Sequence, residues 1–502
     1  MKKQYTNNEN SGKMRTYYKI AAKDGFLMQM TYEQVLKICK GDSEIAAFIM
    51  GLLIRNAELE AEVKELKRQL DSKSNNSSKP PSSDGFRKPK SQRTSGGKIG
   101  GKIGHDGTTL KMVKTPDSVI LHTPHICEHC QTSLENVTSF REDRRQVFDI
   151  PPVKIEVIEH CTEHKVCPNC NKVNQGSFPA GVEATTQYGE RLKAFVAYLS
   201  VYQMLPIERI QQLLKDLTGY SPSEATILSY LDKLNDAVIP IEKTIREQLL
   251  NSEALHADET GARIEGKLHW IHSVSNNRWT LYSVHEKRGN IAMDAMDILP
   301  KYHGIVVHDC WSPYFKEHYK FEHALCNAHL LRECQGVIDY DKQSWAQAMQ
   351  TLLKETWHKV KQARLNNQSI LESELHQIEQ AYDAIIAQGE TENPVSSTLS
   401  CEKKRGRKAQ PKALNLLSRF AKYKQAILRF ICDPRVPFDN NQAERDVRMV
   451  KVKQKVSGTF RTMKGAEQFA RIRGFISTLR KQNYDVLQSL INASCQNFNF
   501  NF

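Results

Sequence analysis

Three carboxylates sit where their neighbours make an idle charge expensive. Asp258 falls inside the strand-like stretch LHADETG, Asp309 stands directly behind the apolar run of GIVVHDCW, and Glu444 opens a helical pattern in DNNQAERDVRMVKVKQK. A charge at such a place must face a site or be neutralised. Carboxylates converging from two strands and a helix suit a pair of Mg²⁺ (or Mn²⁺) ions, which prefer hard oxygen ligands and keep positions open for water and phosphate. Two such ions activate an attacking oxygen and stabilise a leaving one in phosphodiester transfer. On the third element Arg448, Lys451 and Lys455 share a helical face with Glu444, beside an apolar stripe of Ala443, Val447 and Val450. A basic row behind a metal-binding acid suits a helix lying along a DNA backbone, with Lys453 and Arg461 as further DNA contacts. The alternative is a solvated face with Glu444 paired to Arg448, which is worth little.

A second chemistry lies in Cys127-x-x-Cys130 and Cys167-x-x-Cys170. Two CxxC knuckles fit the tetrahedral preference of structural Zn²⁺, and QVFDI and VKIEVIEH, joined by Pro151 and Pro152, read as a β-hairpin between them in a zinc-ribbon plan. Cys161, His160 and His164 lie nearby, but two complete knuckles already fill the coordination shell.

The elements that must position these groups follow from the rest of the chain. With 502 residues several domains are expected, and a formal charge of +14 with pI near 9.1 points to a polyanionic partner. Nucleic acid fits better than a membrane, since no apolar run approaches a bilayer span. The N-terminus lacks the apolar core of a secretion signal, so a cytoplasmic, nucleoid-associated protein is expected. Residues 1–44 give no clear fold. Residues 45–70 carry a heptad pattern with Leu52, Leu59 and Leu66 at d and Ile49, Asn56, Val63 and Leu70 at a, which favours a parallel two-stranded coiled coil and hence a homodimer or higher oligomer. An amphipathic helix packed on its own domain would read the same way. Residues 71–110, rich in Ser, Pro, Gly and Lys, are predicted to be a disordered basic linker. Residues 111–180 hold the zinc ribbon.

Residues 181–250 read as helices, with Gly219 ending one and Ser223 capping the next. A helix-turn-helix-like DNA-binding unit matches this spacing, yet the last helix carries only Lys233 as a basic residue, and a plain helical bridge is the competing reading. Within 251–482 the period changes. Three strands in a meander turn at Glu265-Gly266 and Asn276-Asn277, a helix follows near 290–298, and GIVVHDC makes a further strand. That is the order of a ribonuclease-H-like α/β core, here with a helical insertion at about 330–435 that contains the basic loop KKRGRK. Residues 483–502 read as a tail. The whole is a multidomain α+β protein.

The chain resembles transposases of the insertion sequence 66 family, bacterial elements with an acidic DDE triad. The likeness rests on SSKPPSSD, the two knuckles, FPAGVEATTQYGERLKAFVAYLSVYQMLPIERI, LHADET, HDCWSPYF, CNAHLLRE and PFDNNQAERDVRMVKVKQKVSGTFRT, which run in family order from about 45 to 480. It implies a zipper-like segment, a zinc-finger domain and a ribonuclease-H-like core. It also implies that Asp258 and Asp309 are the catalytic aspartates, Glu444 the glutamate, and DNA the substrate, with small accessory proteins of the same element as further partners. Cys326-x-x-His329 matches a turn that such enzymes carry after the second aspartate and is the auxiliary candidate; by chemistry alone His329 reads as an ordinary helix-facing histidine. The linker GGKIGGKIGHDG departs from the usual GGQPGHKG-like pattern. A non-catalytic DNA-binding regulator and a nuclease that cuts without joining are the competing functions.

Overall fold

The computed structural model describes residues 32–77, 109–394 and 410–496. The chain divides into two compact units, Met1–Asp84 and Gly85–Phe502. In the first, a short helix α1 (Tyr32–Ile38) precedes α2 (Ser43–Asp71), a single helix of 29 residues. Asp42 starts α2 by accepting hydrogen bonds from the backbone N–H groups of Glu44 and Ile45, both at 3.0 Å. Leu52, Leu59, Val63, Leu66 and Leu70 are exposed along it. Most of the expected linker and the KKRGRK loop lie outside the described residues.

The second unit begins with a region of little burial. The expected hairpin of QVFDI and VKIEVIEH does not form. Residues 146–160 contain no strand; the pairing that forms in this region joins β1 (His164–Val166) to β2 (Val173–Gln175), which flank the second knuckle, with one isolated bridge between Ile126 and Ser133 around the first. Val147, Ile150, Val157 and Ile158 are exposed, so a strand there would have no apolar surface to cover. Pro151 and Pro152 also remove two backbone donors.

From residue 190 the chain packs densely. Helix α3 (Glu190–Ala197) runs on through a π-helical turn (Tyr198–Tyr202), followed by α4 (Ile207–Thr218), α5 (Glu224–Ala237) and α6 (Ile239–Leu250). Gly219 ends α4 with φ 78°, and the Ser223 hydroxyl caps α5 by accepting from Thr226 N at 3.1 Å. The sheet then forms from β3 (Ala254–Ile264), β4 (Lys267–Ser275), β5 (Thr280–His285), β6 (Ile305–His308) and β7 (Glu322–Leu325). Its order is β5-β4-β3-β6-β7, with the first three antiparallel and β6 and β7 parallel to β3. Helix α7 (Asn290–Met296) connects the two halves.

The sheet is buried on both sides. Val306 belongs to one apolar core with Leu255, Ala257 and the helices before β3, whereas Ile305 and Val307 belong to a second core around Trp345, Tyr382 and Phe420. A central parallel strand covered on both faces reads as an unbroken apolar run, which is why IVV shows no alternation. The second core is built by the inserted helices α8 (Asn327–Tyr340), α9 (Ser344–Leu365), α10 (Glu372–Glu392), α11 (Lys412–Lys422) and α12 (Lys424–Cys432). Helix α13 (Asn441–Ser457) then packs across β3 and β4, and α14 (Met463–Lys481) packs on β5, where Thr478 Oγ1 accepts from Thr280 N at 3.1 Å. The expected tail contains one more helix, α15 (Val486–Ser494), capped by Asp485 and anchored in the first core by Val486, Leu490 and Ala493.

One side chain ties three of these elements together. Asn440 is buried, its Nδ2 donates to Ala257 O of β3 at 2.8 Å, its Oδ1 accepts a hydrogen bond from His256 Nδ1 at 2.8 Å, and its backbone N–H donates to Cys326 Sγ at 3.1 Å. The start of α13, the middle of β3 and the start of α8 are thereby fixed to one point. Replacing Asn440 with Ala strands a buried carbonyl and a buried imidazole N–H, each worth about 1–3 kcal/mol. Denaturant unfolding of Asn440→Ala should show a loss of about 2–4 kcal/mol; an unchanged midpoint would mean that this knot holds nothing.

Candidate active site

Register places the two aspartates side by side. His256 of β3 pairs with Val307 of β6 in parallel, and Asp258 and Asp309 each lie two residues farther along. Neighbouring strands are about 4.8 Å apart and side chains alternate with period 2, so both carboxylates leave the same face at the same level. Asp309 is the first residue past β6, and Cys310 after it holds φ 69°. A left-handed conformation in a non-glycine residue is strained, and here it turns the chain sharply behind the carboxylate. Each aspartate spends one oxygen on the backbone: Asp258 Oδ1 accepts from Glu259 N at 2.8 Å and Asp309 Oδ1 from Trp311 N at 3.1 Å.

Glu444 arrives in the first turn of α13, four residues past Asn440. It turns not to Arg448 but to α8, with its Oε1 at 3.4 Å from Arg332 Nη2 and 3.6 Å from His329 Nδ1. Cys326, His329 and Glu444 bring their ligand atoms within 4.8 Å of one another. Burial pushes the Cys326 thiol up to about 12 and the His329 imidazole down to about 3, the latter helped by Arg332. Both are therefore neutral at ordinary pH, and the thiol serves as an acceptor for Asn440 N.

Asp258 lies within electrostatic reach of its acidic neighbours. Asp258 is held well above the usual carboxylate range by burial, then by the charges of Glu259, Asp309 and Glu444. Asp309 is raised by burial, with Arg288 pulling the other way. The donor set of Asp258, Asp309 and Glu444 has the chemistry that a hard divalent cation takes: all are oxygen ligands carried by packed elements, and among the described residues no hydrogen bond engages the second carboxylate oxygen of either aspartate. Such an ion would relieve the mutual repulsion of the carboxylates.

Sequence reasoning passed over four residues here. Glu259 is almost fully buried, and burial together with Asp309 pushes its carboxyl up to about 7. It accepts from Arg288 and from the Tyr314 hydroxyl at 3.3 Å. Arg332 is the fourth. The adjacency of Glu259 to Asp258 in ADET was a usable signal, but nothing local singles out Arg288, Tyr314 or Arg332.

The basic candidates divide. Arg448 and Lys455 are exposed, and Arg461 is open to solvent beside Glu224 at 3.6 Å. Lys451 donates to Gly261 O, and Lys453 lies 5.8 Å from the Phe460 ring centroid, so both are partly spent within the fold. Helix α5 is committed to α14 through Asp232 with Lys464 and Asn235 with Arg471. In the cysteine region both knuckles make the same turn: Cys127 N donates to Thr132 O and Cys167 N to Lys172 O, with Gln131 and Asn171 at φ 58° and 54°. Thr132 lowers the Cys130 thiol pKa, and the Cys170 and Asn169 backbones lower that of Cys167. Among the described residues the one set of three ligand atoms within 4.8 Å is that at Glu444 with Cys326 and His329, so neither the four knuckle thiols nor the carboxylates of Asp258, Asp309 and Glu444 are drawn that close together.

Residues 185–468, more than half of the chain, match a family model described as Transposase IS66 family. Residues 124–171 match the zinc-finger binding domain of transposase IS66, and residues 33–111 a family of unknown function. No curated protein matches the chain.

The raised carboxyls carry a pH signature. Asp258, Glu259 and Asp309 bind protons more tightly folded than unfolded, so their contribution to stability is present at low pH and is lost as pH rises through the folded pKa, about 7 for Glu259. In EDTA, wild type should lose melting temperature relative to Asp258→Asn as pH rises, and Mg²⁺ at about pH 8 should restore wild type alone. Parallel melting curves for the two proteins would contradict this reading.

Proposed function

The chain belongs to the IS66 family of transposases, and from that we propose that it binds the ends of a bacterial insertion sequence, cuts DNA strands there and joins the freed 3′-hydroxyl to target DNA. The observation that carries the proposal is the level placement of Asp258 on β3 and of Asp309 directly after β6, its parallel neighbour, with the charge of Glu444 reaching Asp258 from α13. A ribonuclease-H-like reading of the core draws support from three antiparallel strands followed by two parallel ones in the order β5-β4-β3-β6-β7. Mg²⁺ or Mn²⁺ bound by the three carboxylates would activate the attacking oxygen and stabilise the leaving one.

The chain's own residues supply position. Asn440 sets the start of α13 against β3, and Arg332 and His329 hold Glu444 in line. Arg448 and Lys455, exposed on the same helix, are the DNA-backbone contacts this reading favours. No covalent protein–DNA intermediate is required, since water and then the DNA hydroxyl act as nucleophiles. Structural Zn²⁺ at Cys127, Cys130, Cys167 and Cys170 is supported by the zinc-finger match and the paired knuckle turns. Dimerisation through α2 is supported by its exposed leucines at heptad spacing. No described helix is long and apolar enough to cross a membrane.

The test is Mg²⁺- or Mn²⁺-dependent cleavage and strand transfer on DNA bearing the element's own ends. Asp309→Ala should lower both by on the order of a thousandfold, since a lost metal ligand costs several kcal/mol of transition-state stabilisation, while DNA binding persists. Equal activity in wild type and variant would remove Asp309 from the chemistry.

A further inference from the structure

Arg288 sits in the polar loop between β5 and α7, and its surroundings are more elaborate than an ion pair needs. Its guanidinium carbon lies 3.8 Å from the Trp311 ring centroid and 4.6 Å from that of Trp270. Nε and Nη2 both donate to Glu259 Oε1, at 3.0 and 2.6 Å. Glu259 is 2% exposed and is itself held by the Tyr314 hydroxyl. Gly289 next to it has φ 92°, and a Cβ there would stand 3.5 Å from the Trp311 ring, which is ordinary contact. The loop thus needs glycine for its backbone conformation, with the indole close by.

This arrangement fixes the plane of the guanidinium but not all of its donors. Among the described residues Nη1 finds no hydrogen-bond partner, and the side chain keeps 39% of its surface. The position is also significant, because the charge of Arg288 reaches Asp309, so it stands at the rim of the acidic cluster. Glu259 gives up water in a crowd of like charges to hold this one cation in place, at an energetic cost that a free surface arginine would not require. Stacking on indole and a fixed N–H fork are properties of arginine that lysine lacks. An anion that has to approach metal-binding carboxylates meets a pre-aligned donor here.

We propose that Arg288, aligned by Glu259, Trp270 and Trp311, binds through Nη1 a DNA phosphate adjoining the one that is cut. The inference rests on the transposase reading and assigns that site a phosphate contact distinct from the basic row on α13. A fixed guanidinium at this point orients the strand relative to Asp258 and Asp309, whereas the exposed Arg448 and Lys455 add only general attraction.

The test uses the full-length protein, a duplex carrying the element's end, Ca²⁺ in place of Mg²⁺ for binding, and Mg²⁺ for cutting. Arg288→Gln should bind about tenfold more weakly, and the slope of log affinity against log salt should fall by about 1, the signature of one lost phosphate contact. Arg288→Lys should keep the slope, because the charge remains, yet cut about tenfold more slowly because the charge is no longer aligned. A purely structural arginine would leave the salt slope unchanged. If Arg288→Gln does not fold, the lysine variant decides: wild-type cleavage by it overturns the alignment. A wild type that cuts, with an Arg288→Gln variant that binds and cuts equally well, overturns this inference and leaves the transposase reading standing. A wild type with no affinity for the element's ends sinks both.

Discussion

Carboxylates repel, and the cluster of Asp258, Glu259, Asp309 and Glu444 is held together against that repulsion by the rest of the fold. Burial gives most of the upward push on Asp258, Glu259 and Asp309, and neighbouring carboxylates add to it at Asp258 and Glu259. What resists them is packing on both faces of a single sheet. Val306 faces one core while Ile305 and Val307 face the other, so β6 cannot slide or rotate without exposing one of them. Asn440 then pins the helix that carries Glu444 to the strand that carries Asp258.

The helical insertion belongs to this account as well. Its first helix, α8, supplies Arg332 and His329 to Glu444, and the residue after Arg332, Glu333, pairs with Arg419 of α11. Arg419 also lies against Cys310, the strained residue behind Asp309. The insertion therefore touches both ends of the acidic cluster. Its large apolar core around Trp345 and Phe420 makes those contacts rigid, which is what a site that must hold like charges in fixed geometry requires.

Much of this was legible in the sequence because local and global signals agreed. The meander of β3 to β5, the turn at Glu265-Gly266, the caps at Gly219 and Ser223, and the helix opening at Glu444 all follow from periodicity and turn chemistry. Strand β7, only four residues long, was missed because EHAL carries too few residues for a period to show. Helix α15 was missed because three anchoring residues in a short terminal segment look like noise until the core they enter is known. The hairpin expected at 146–160 failed for the opposite reason, since its alternating pattern has no core to face. Arg288, Tyr314 and Arg332 were invisible because their partners lie 29, 55 and 112 residues away in the chain.

The central claim is that Asp258, Asp309 and Glu444 converge on one divalent-cation site. Fe²⁺ takes the same hard oxygen ligands, and with ascorbate and peroxide it breaks the polypeptide next to where it binds. Mapping those breaks by mass spectrometry tests the convergence without DNA or activity. The account predicts breaks clustered beside residues 258, 309 and 444, all suppressed by excess Mg²⁺. Breaks confined to the cysteine knuckles, or scattered with none at these three positions, would contradict it.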